Sequence, residues 1–286
     1  MTGFTFLLVL SFGPIGEVLE GFIPKGDLPL QFAVDCVGAA IALGVYVLLV
    51  RLVEGRRPSE LAMRPAVPEL LGGILLGLLM FSAVMAILLG TGAYVMELRG
   101  AGPAWRAAGL AIHAGVVEEL IIRGVILRLL WRSFGPTIAF AVSAVLFGAG
   151  HLPNPESSFF AAFCIALEAG VMLGAFYALT GRLWVSIGVH VSWNFTQGYI
   201  FGAAVSGVDV GPSLAKSSAV PGYPEWLSGG AFGPEASLPA LLVCSSIGAA
   251  TLWAAWRAGR FDQATDQTSA VTPSDEARAA SDTVFV

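Results

Sequence analysis

An all-α, polytopic transmembrane helical bundle of about seven to eight spans is the fold class this sequence predicts, on three observations. Its residues are 56% hydrophobic, with a mean hydropathy of +0.78. Only 12% are charged, where a soluble domain carries about 25%. Several apolar runs exceed the ~18 residues that mark a membrane-spanning helix, and clusters of Gly, Pro and Arg separate them. The lipid bilayer is therefore a partner, while the net charge of -5 comes with no basic patch that would support a nucleic-acid one. Cys36, Cys164 and Cys244 fall in separate apolar segments with no CxxC pair, so they read as small core residues rather than as a disulfide or zinc framework.

Residues 1–27 open the chain. Met1 to Phe12 lacks the basic start of a secretory signal, and Gly13, Pro14, Glu17 and Glu20 break its apolar run, so the segment reads as a short N-terminal helix or partial span. The transmembrane domain follows over 28–258. Its first span is Leu28 to Val53, with Asp35 inside it. The second, Leu70 to Met96, carries Gly73 and Gly77 at a spacing that allows close helix approach. The third runs from Ala104 to Leu130. The fourth, Pro136 to His151, is short and ends in the breaker-rich Leu152-Pro153-Asn154-Pro155. The fifth is Phe159 to Thr180, with Glu168 at mid-span, and the sixth is Leu183 to Val205. A Gly/Pro/Ser-rich loop over 206–237, expected to cover the outer face, leads to a seventh span, Leu238 to Ala258. Residues 259–286 are polar from Phe261 onward and read as a disordered cytoplasmic tail.

Charge in the loops sets the orientation. With the first span exiting into the cytoplasm, ten of the fifteen Lys and Arg, among them Arg51, Arg128, Arg182 and Arg257, collect inside. Lys25, Arg99, Arg106 and Lys216 stay outside and Arg123 is left in the membrane. Seven spans put the N-terminus outside and the tail inside; an eighth formed by residues 4–22 would put both ends inside.

The chemistry concentrates at Glu118-Glu119-Leu120-Ile121-Ile122-Arg123 in the third span, where each ionised group costs roughly 2.5 to 3.5 kcal/mol or more. Glu119 and Arg123, four residues apart, share a helix face and can neutralise each other. Glu118, rotated by roughly 100° from Glu119, has no local counter-ion and is the residue expected to act. Phe147 with His151, and His190 with Asn194, repeat the four-residue spacing on two further spans. A carboxylate, two imidazoles and an amide suit hydrolysis of an amide bond by activated water, with no serine or cysteine nucleophile. Phe147 walls the site by packing. His113, outside these patterns, reads as a satisfied core or interfacial histidine. By length, His190 lies roughly 10 Å from the inner end of its span and His151 roughly 20 Å from that of its own. For the two to meet, the fourth span must be tilted and start before Pro136, or be a partial helix that stops in the membrane at Pro153.

In order along the chain, the three stretches resemble the EExxxR, FxxxH and HxxxN motifs of the CAAX protease and bacteriocin-processing (CPBP, or ABI) intramembrane proteases, which include the Ras-converting CAAX endopeptidases. Gly181-Arg182-Leu183-Trp184 and Gly229-Gly230-Ala231-Phe232-Gly233-Pro234-Glu235 are similar to neighbouring text in bacterial members, so the motif core is 104–237. The resemblance implies that Glu118 and His151 hold and activate water, His190 and Asn194 stabilise the oxyanion, and Glu119 and Arg123 support the site. Ile122 departs from the aromatic residue often found before the arginine, and Glu168 lies outside the motif set. That residue lines the substrate cavity or tunes Glu118 by like charge.

The function this predicts is an intramembrane endopeptidase acting on a peptide or membrane-protein substrate that enters from the bilayer or the cytoplasmic surface. Its expected setting is a bacterial or archaeal plasma membrane, where the substrate need not be prenylated. No cofactor is expected; zinc on Glu118, His151 and His190 is the runner-up, without the HExxH spacing that puts two imidazoles on one face. Two other classes stand beside it. A non-proteolytic scaffold or bacteriocin-immunity protein would not need the four polar residues intact, and a proton-coupled transporter would use Glu118 and Glu168 as relays but should show an inverted repeat.

Overall fold

A computed structural model describes residues 28–261. The expected N-terminal helix and the expected disordered tail lie outside the described residues, apart from the first three positions of the latter. Helix α1 is Leu28–Val53 and α2 is Ala66–Gly90; strand β1 is Tyr94–Leu98. Helix α3, Trp105–Glu119, continues through a wider π-helical stretch, Leu120–Leu127, into α4, Arg128–Gly150. Gly135 breaks α4 with φ 81° and ψ 172° just before Pro136, so the chain turns there between two helical rods. Helix α5, Phe159–Ile165, passes through a π stretch, Ala166–Leu173, into α6, Gly174–Thr180, and α7, Trp184–Phe195, ends in a third, Thr196–Ile200. Strand β2 is Ala215–Ala219, α8 is Glu225–Ser228, and α9 is Leu238–Arg257.

The fold is an all-α membrane bundle. Among the described residues, 28–53, 66–90, 159–180 and 238–257 are by themselves long and apolar enough to cross a bilayer. Local chemistry sets several ends: Ser158 and Ser237 accept the N–H groups of Ala161 and Ala240 at 3.1 and 3.3 Å, capping α5 and α9. Gly181, at φ 68°, closes α6 in the left-handed conformation that favours glycine.

Packing follows the small residues. Ala39, Ala42, Tyr46 and Val50 recur at three- and four-residue spacing and turn one face of α1 into a core with Val116, Leu120 and Leu127. Gly73 and Gly77 face the backbone of α7 so closely that a Cβ on Gly73 would sit 2.5 Å from Val185 O, the close approach their spacing predicts. Large apolar side chains such as Leu52, Leu75, Val145 and Trp256 point outward, which suits lipid and not water.

Arginines gather at one end of the bundle. Arg128 reaches back across the chain to Glu54 at 2.5 and 2.8 Å, Arg56 holds Glu54 and Glu60 at 2.7 and 2.8 Å, and Tyr46 donates to Glu60 and, at 2.9 Å, to Gly124 O. Burial pushes the Glu54 carboxyl up, but the hydrogen bonds from Arg128 and Arg56 outweigh it and hold it down at about 2. Arg182 pairs with Glu69 at the same end.

The opposite end departs from the expected irregular loop. β1 and β2 pair antiparallel, Tyr94 opposite Ala219 through Leu98 opposite Ala215, and α8 adds a helical turn. The sixth span ends at Ile200 rather than Val205. The fourth begins at Pro136 and stops at Gly150, as a partial helix, with His151 as its C-cap. The turn that follows is packed on protein, because Gly207 lies against Pro155 and its N–H donates to Phe232 O at 2.8 Å.

Candidate active site

Two adjacent glutamates on one helix must face different surroundings, and here they do. Glu119 is fully buried: its Oε1 accepts Arg123 Nη1 at 2.7 Å and lies 3.0 Å from His190 Nδ1. Arg123, equally buried, also donates to the carbonyls of Ala169 and Gly170, tying α3 to the π stretch of α5. The side chain of Glu118 is 35% exposed, yet its Oε2 is shielded and has no hydrogen-bond partner; His190 Nε2 stands 3.8 Å from it.

Gly115 makes this meeting possible. A Cβ there would lie 2.6 Å from a methyl of Val191, so glycine lets α3 and α7 come close enough for Glu119 to reach His190. All three π-helical stretches begin within three residues of a residue that lines the site: Glu118, Glu168 and Asn194. The wider turn of a π-helix shifts the side-chain register at such points.

His151 caps the partial helix, with Nδ1 2.8 Å from Phe147 O. The ring of Phe147 lies 4.9 Å from that of His151 and 6.2 Å from that of His190, and the Arg123 guanidinium sits 4.8 Å from its centroid. Phe147 therefore partitions the buried ion pair from the space in front of it.

That space is a cavity of about 250 Å³ lined by Glu118, Phe147, His151, His190 and Asn194. The structure thus brings together the four residues singled out in the sequence, with Phe147 as a wall and Glu119 and Arg123 behind. The cavity extends past Ala107 to Val205–Val210, toward the arginine-poor end of the bundle.

Two of its residues were not anticipated there. His113 lines it with Nδ1 unpartnered. Glu235, in a short 3-10 turn, Pro234–Ala236, also lines it, and Glu168 joins it on the wall. The sequence marked Glu235 as the end of a family-like Gly-rich stretch, which did not by itself place the acid in the cavity.

A zinc ion would need Glu118, His151 and His190 to aim donors at one point. Among the described residues no group of three or more His, Cys, Asp or Glu converges closely enough to hold an ion. As arranged the residues do not fit it, and no step below runs through a metal.

A family model, type II CAAX prenyl endopeptidase Rce1-like, matches residues 100–196, about a third of the chain and the part that holds all three motifs. Among curated proteins and among solved structures nothing matches.

Proposed function

We propose, from the premise that residues 100–196 of this membrane protein are those of a CAAX-protease-family endopeptidase, that the chain hydrolyses a peptide bond of a membrane-associated substrate with water activated at Glu118. One observation carries the reading: Glu118, His151, His190 and Asn194, from three separate helical segments, line one cavity in which a Glu118 oxygen is left without a partner.

Glu118 takes a proton from a water that His151 helps to hold, and the hydroxide attacks the carbonyl carbon. The tetrahedral oxyanion is met by the Asn194 amide and by His190. Glu119, ionised and paired with Arg123, can only accept, so Nδ1 of His190 carries a proton and Nε2 donates to the oxyanion when the ring is doubly protonated. On collapse the proton held by Glu118 passes to the leaving nitrogen, and the carboxylate is regenerated. Arg123 and Glu119 fix the ring and touch no reacting atom.

The proposed setting is a bacterial or archaeal plasma membrane, with substrate arriving from the bilayer or the arginine-poor face. Purified protein in nanodiscs, incubated with a library of quenched membrane peptides, tests the assignment. Cleavage that Glu118→Ala abolishes is the expected result; cleavage that Glu118→Ala leaves unchanged overturns it.

A further inference from the structure

The cavity wall also carries two acids to which the proposed hydrolysis gives no role. Glu168 projects from the π stretch of α5 and is 3% exposed; Glu235, on the loop before α9, is 2% exposed. Both line the cavity that holds Glu118, and they are close enough to act on each other electrostatically. Among the described residues no Lys or Arg lines that cavity. Arg123 is fully buried behind Phe147 and committed to Glu119 and two carbonyls, while His151, on the same cavity, is the ionisable base that acts on Glu235.

The loop holds Glu235 in place. Its Oε1 accepts the N–H of Ser206, a non-glycine residue in the left-handed region at φ 49°. Gln197 Nε2 donates to Ala204 O at 2.6 Å and Val205 pairs with Val208, so the segment that reaches Glu235 is fixed on both sides of Ser206. A strained backbone of this kind is held by its surroundings and concentrates at ligand sites.

Glu168 supplies an observation independent of the charge count. Its Oε1 is buried and has no hydrogen-bond partner, although the side chain fronts open space. Holding such an oxygen charged and unpaired is costly, a cost that a cationic ligand would offset. Met172, Leu173 and Trp193 line the approach, an apolar channel suited to an aliphatic stem that ends in a charge.

We propose that Glu168 and Glu235 form an acidic subsite that takes the ammonium or guanidinium of a lysine or arginine side chain in the substrate. The proposal rests on the endopeptidase reading and narrows its substrate class to internal segments bearing a basic residue close to the scissile bond. A terminal carboxylate placed in this subsite would instead meet two buried acids and no cation.

Matched peptides with lysine, arginine or norleucine at each position around the cleaved bond test it in two ways. In cleavage, the wild type is expected to prefer lysine or arginine over norleucine at one position by at least tenfold in kcat/KM, chiefly through KM. Glu168→Gln and Glu235→Gln, which keep the side-chain shape, are each expected to collapse that ratio to about twofold. In binding, Glu118→Gln protein is titrated with the same labelled peptides, and the same preference should appear in Kd without turnover. Discrimination in binding but no cleavage by the wild type leaves the subsite standing and removes the peptidase. Cleavage without a basic preference, or a preference that survives both substitutions, overturns the subsite and leaves the peptidase standing. Discrimination lost on adding a chelator and regained with a divalent ion would make a metal the occupant, which also overturns it.

Discussion

Nδ1 of His190 lies 3.0 Å from Oε1 of Glu119, the same oxygen to which Arg123 donates at 2.7 Å. One carboxylate oxygen therefore neutralises the buried guanidinium and orients the imidazole that faces Glu118. In the proposed mechanism the second glutamate of the motif is a positioning group and the first works on water.

Removing one partner of this pair should be far worse than removing both. Arg123→Met leaves Glu119 buried without its cation and Glu119→Gln leaves Arg123 likewise, each expected to cost about 3–5 kcal/mol. The double variant should recover a large part of that loss. Thermal midpoints in one detergent check the order, and a double variant less stable than either single one would contradict it.

Exchanging the charge without the fork should also fail. Arg123 serves Glu119 through one nitrogen and the carbonyls of Ala169 and Gly170 through the other, a spread that a lysine ammonium cannot reproduce. Arg123→Lys is expected to fold with reduced stability and to lower kcat more than it raises KM, because His190 loses its fixed support. Steady-state kinetics on a single peptide reads this split.

Helix contact at glycine gives a paired test outside the site. Gly77→Ala would drive a methyl into Val189 and Ser192 and should cost about 1–3 kcal/mol. Gly72→Ala, on the same helix with open space before it, should be neutral or slightly stabilising. Equal effects in the melting curves would refute the packing of α2 on α7.

Acid should weaken the arginine-rich end in a defined window. Glu54 is held at about 2, below its ordinary 4.5, so its contribution is complete above 4.5 and is lost as pH falls toward the lower value. The gap in thermal midpoint between the wild type and Glu54→Gln should stay constant from neutrality down to about pH 5 and narrow below that. A gap that persists unchanged under stronger acid would contradict the Arg128 and Arg56 contacts.

Chelation bears on the runner-up mechanism. On the proposed mechanism, in which Glu118 works with water and the imidazoles alone, exhaustive treatment with a chelator should leave the cleavage rate within about twofold. Loss of activity restored by zinc would move Glu118, His151 and His190 from acid–base work to ligation.

Much of this was legible in the sequence because membrane helices announce themselves by length and composition, and because charges inside them are rare. Glu118, Glu119 and Arg123 stood out for that reason, and the four-residue spacings at Phe147 and His190 placed side chains on common faces. Glu235 closes a stretch that the sequence did single out, but its place in the cavity escaped because it sits on a loop whose path inward, held through Ser206, only the fold reveals. The cavity-lining place of His113 was not visible because a lone histidine on an apolar helix gives no sign of what it faces. How His151 comes to His190 was ambiguous in the sequence, and the break at Gly135 and the stop at Gly150 supply the helix ends that bring both to one cavity. Irregular backbone contributes little to hydropathy, so the pairing of β1 with β2 was also out of reach.

The proposal that Glu118 activates water is tested most directly by cleavage in water enriched in oxygen-18, with mass analysis of the new C-terminus. The wild type should place one heavy oxygen in the newly formed carboxyl group under single-turnover conditions, and Glu118→Gln should slow its appearance at least a hundredfold while keeping the wild-type melting temperature within a few degrees. Labelled product forming at the wild-type rate in Glu118→Gln would contradict it.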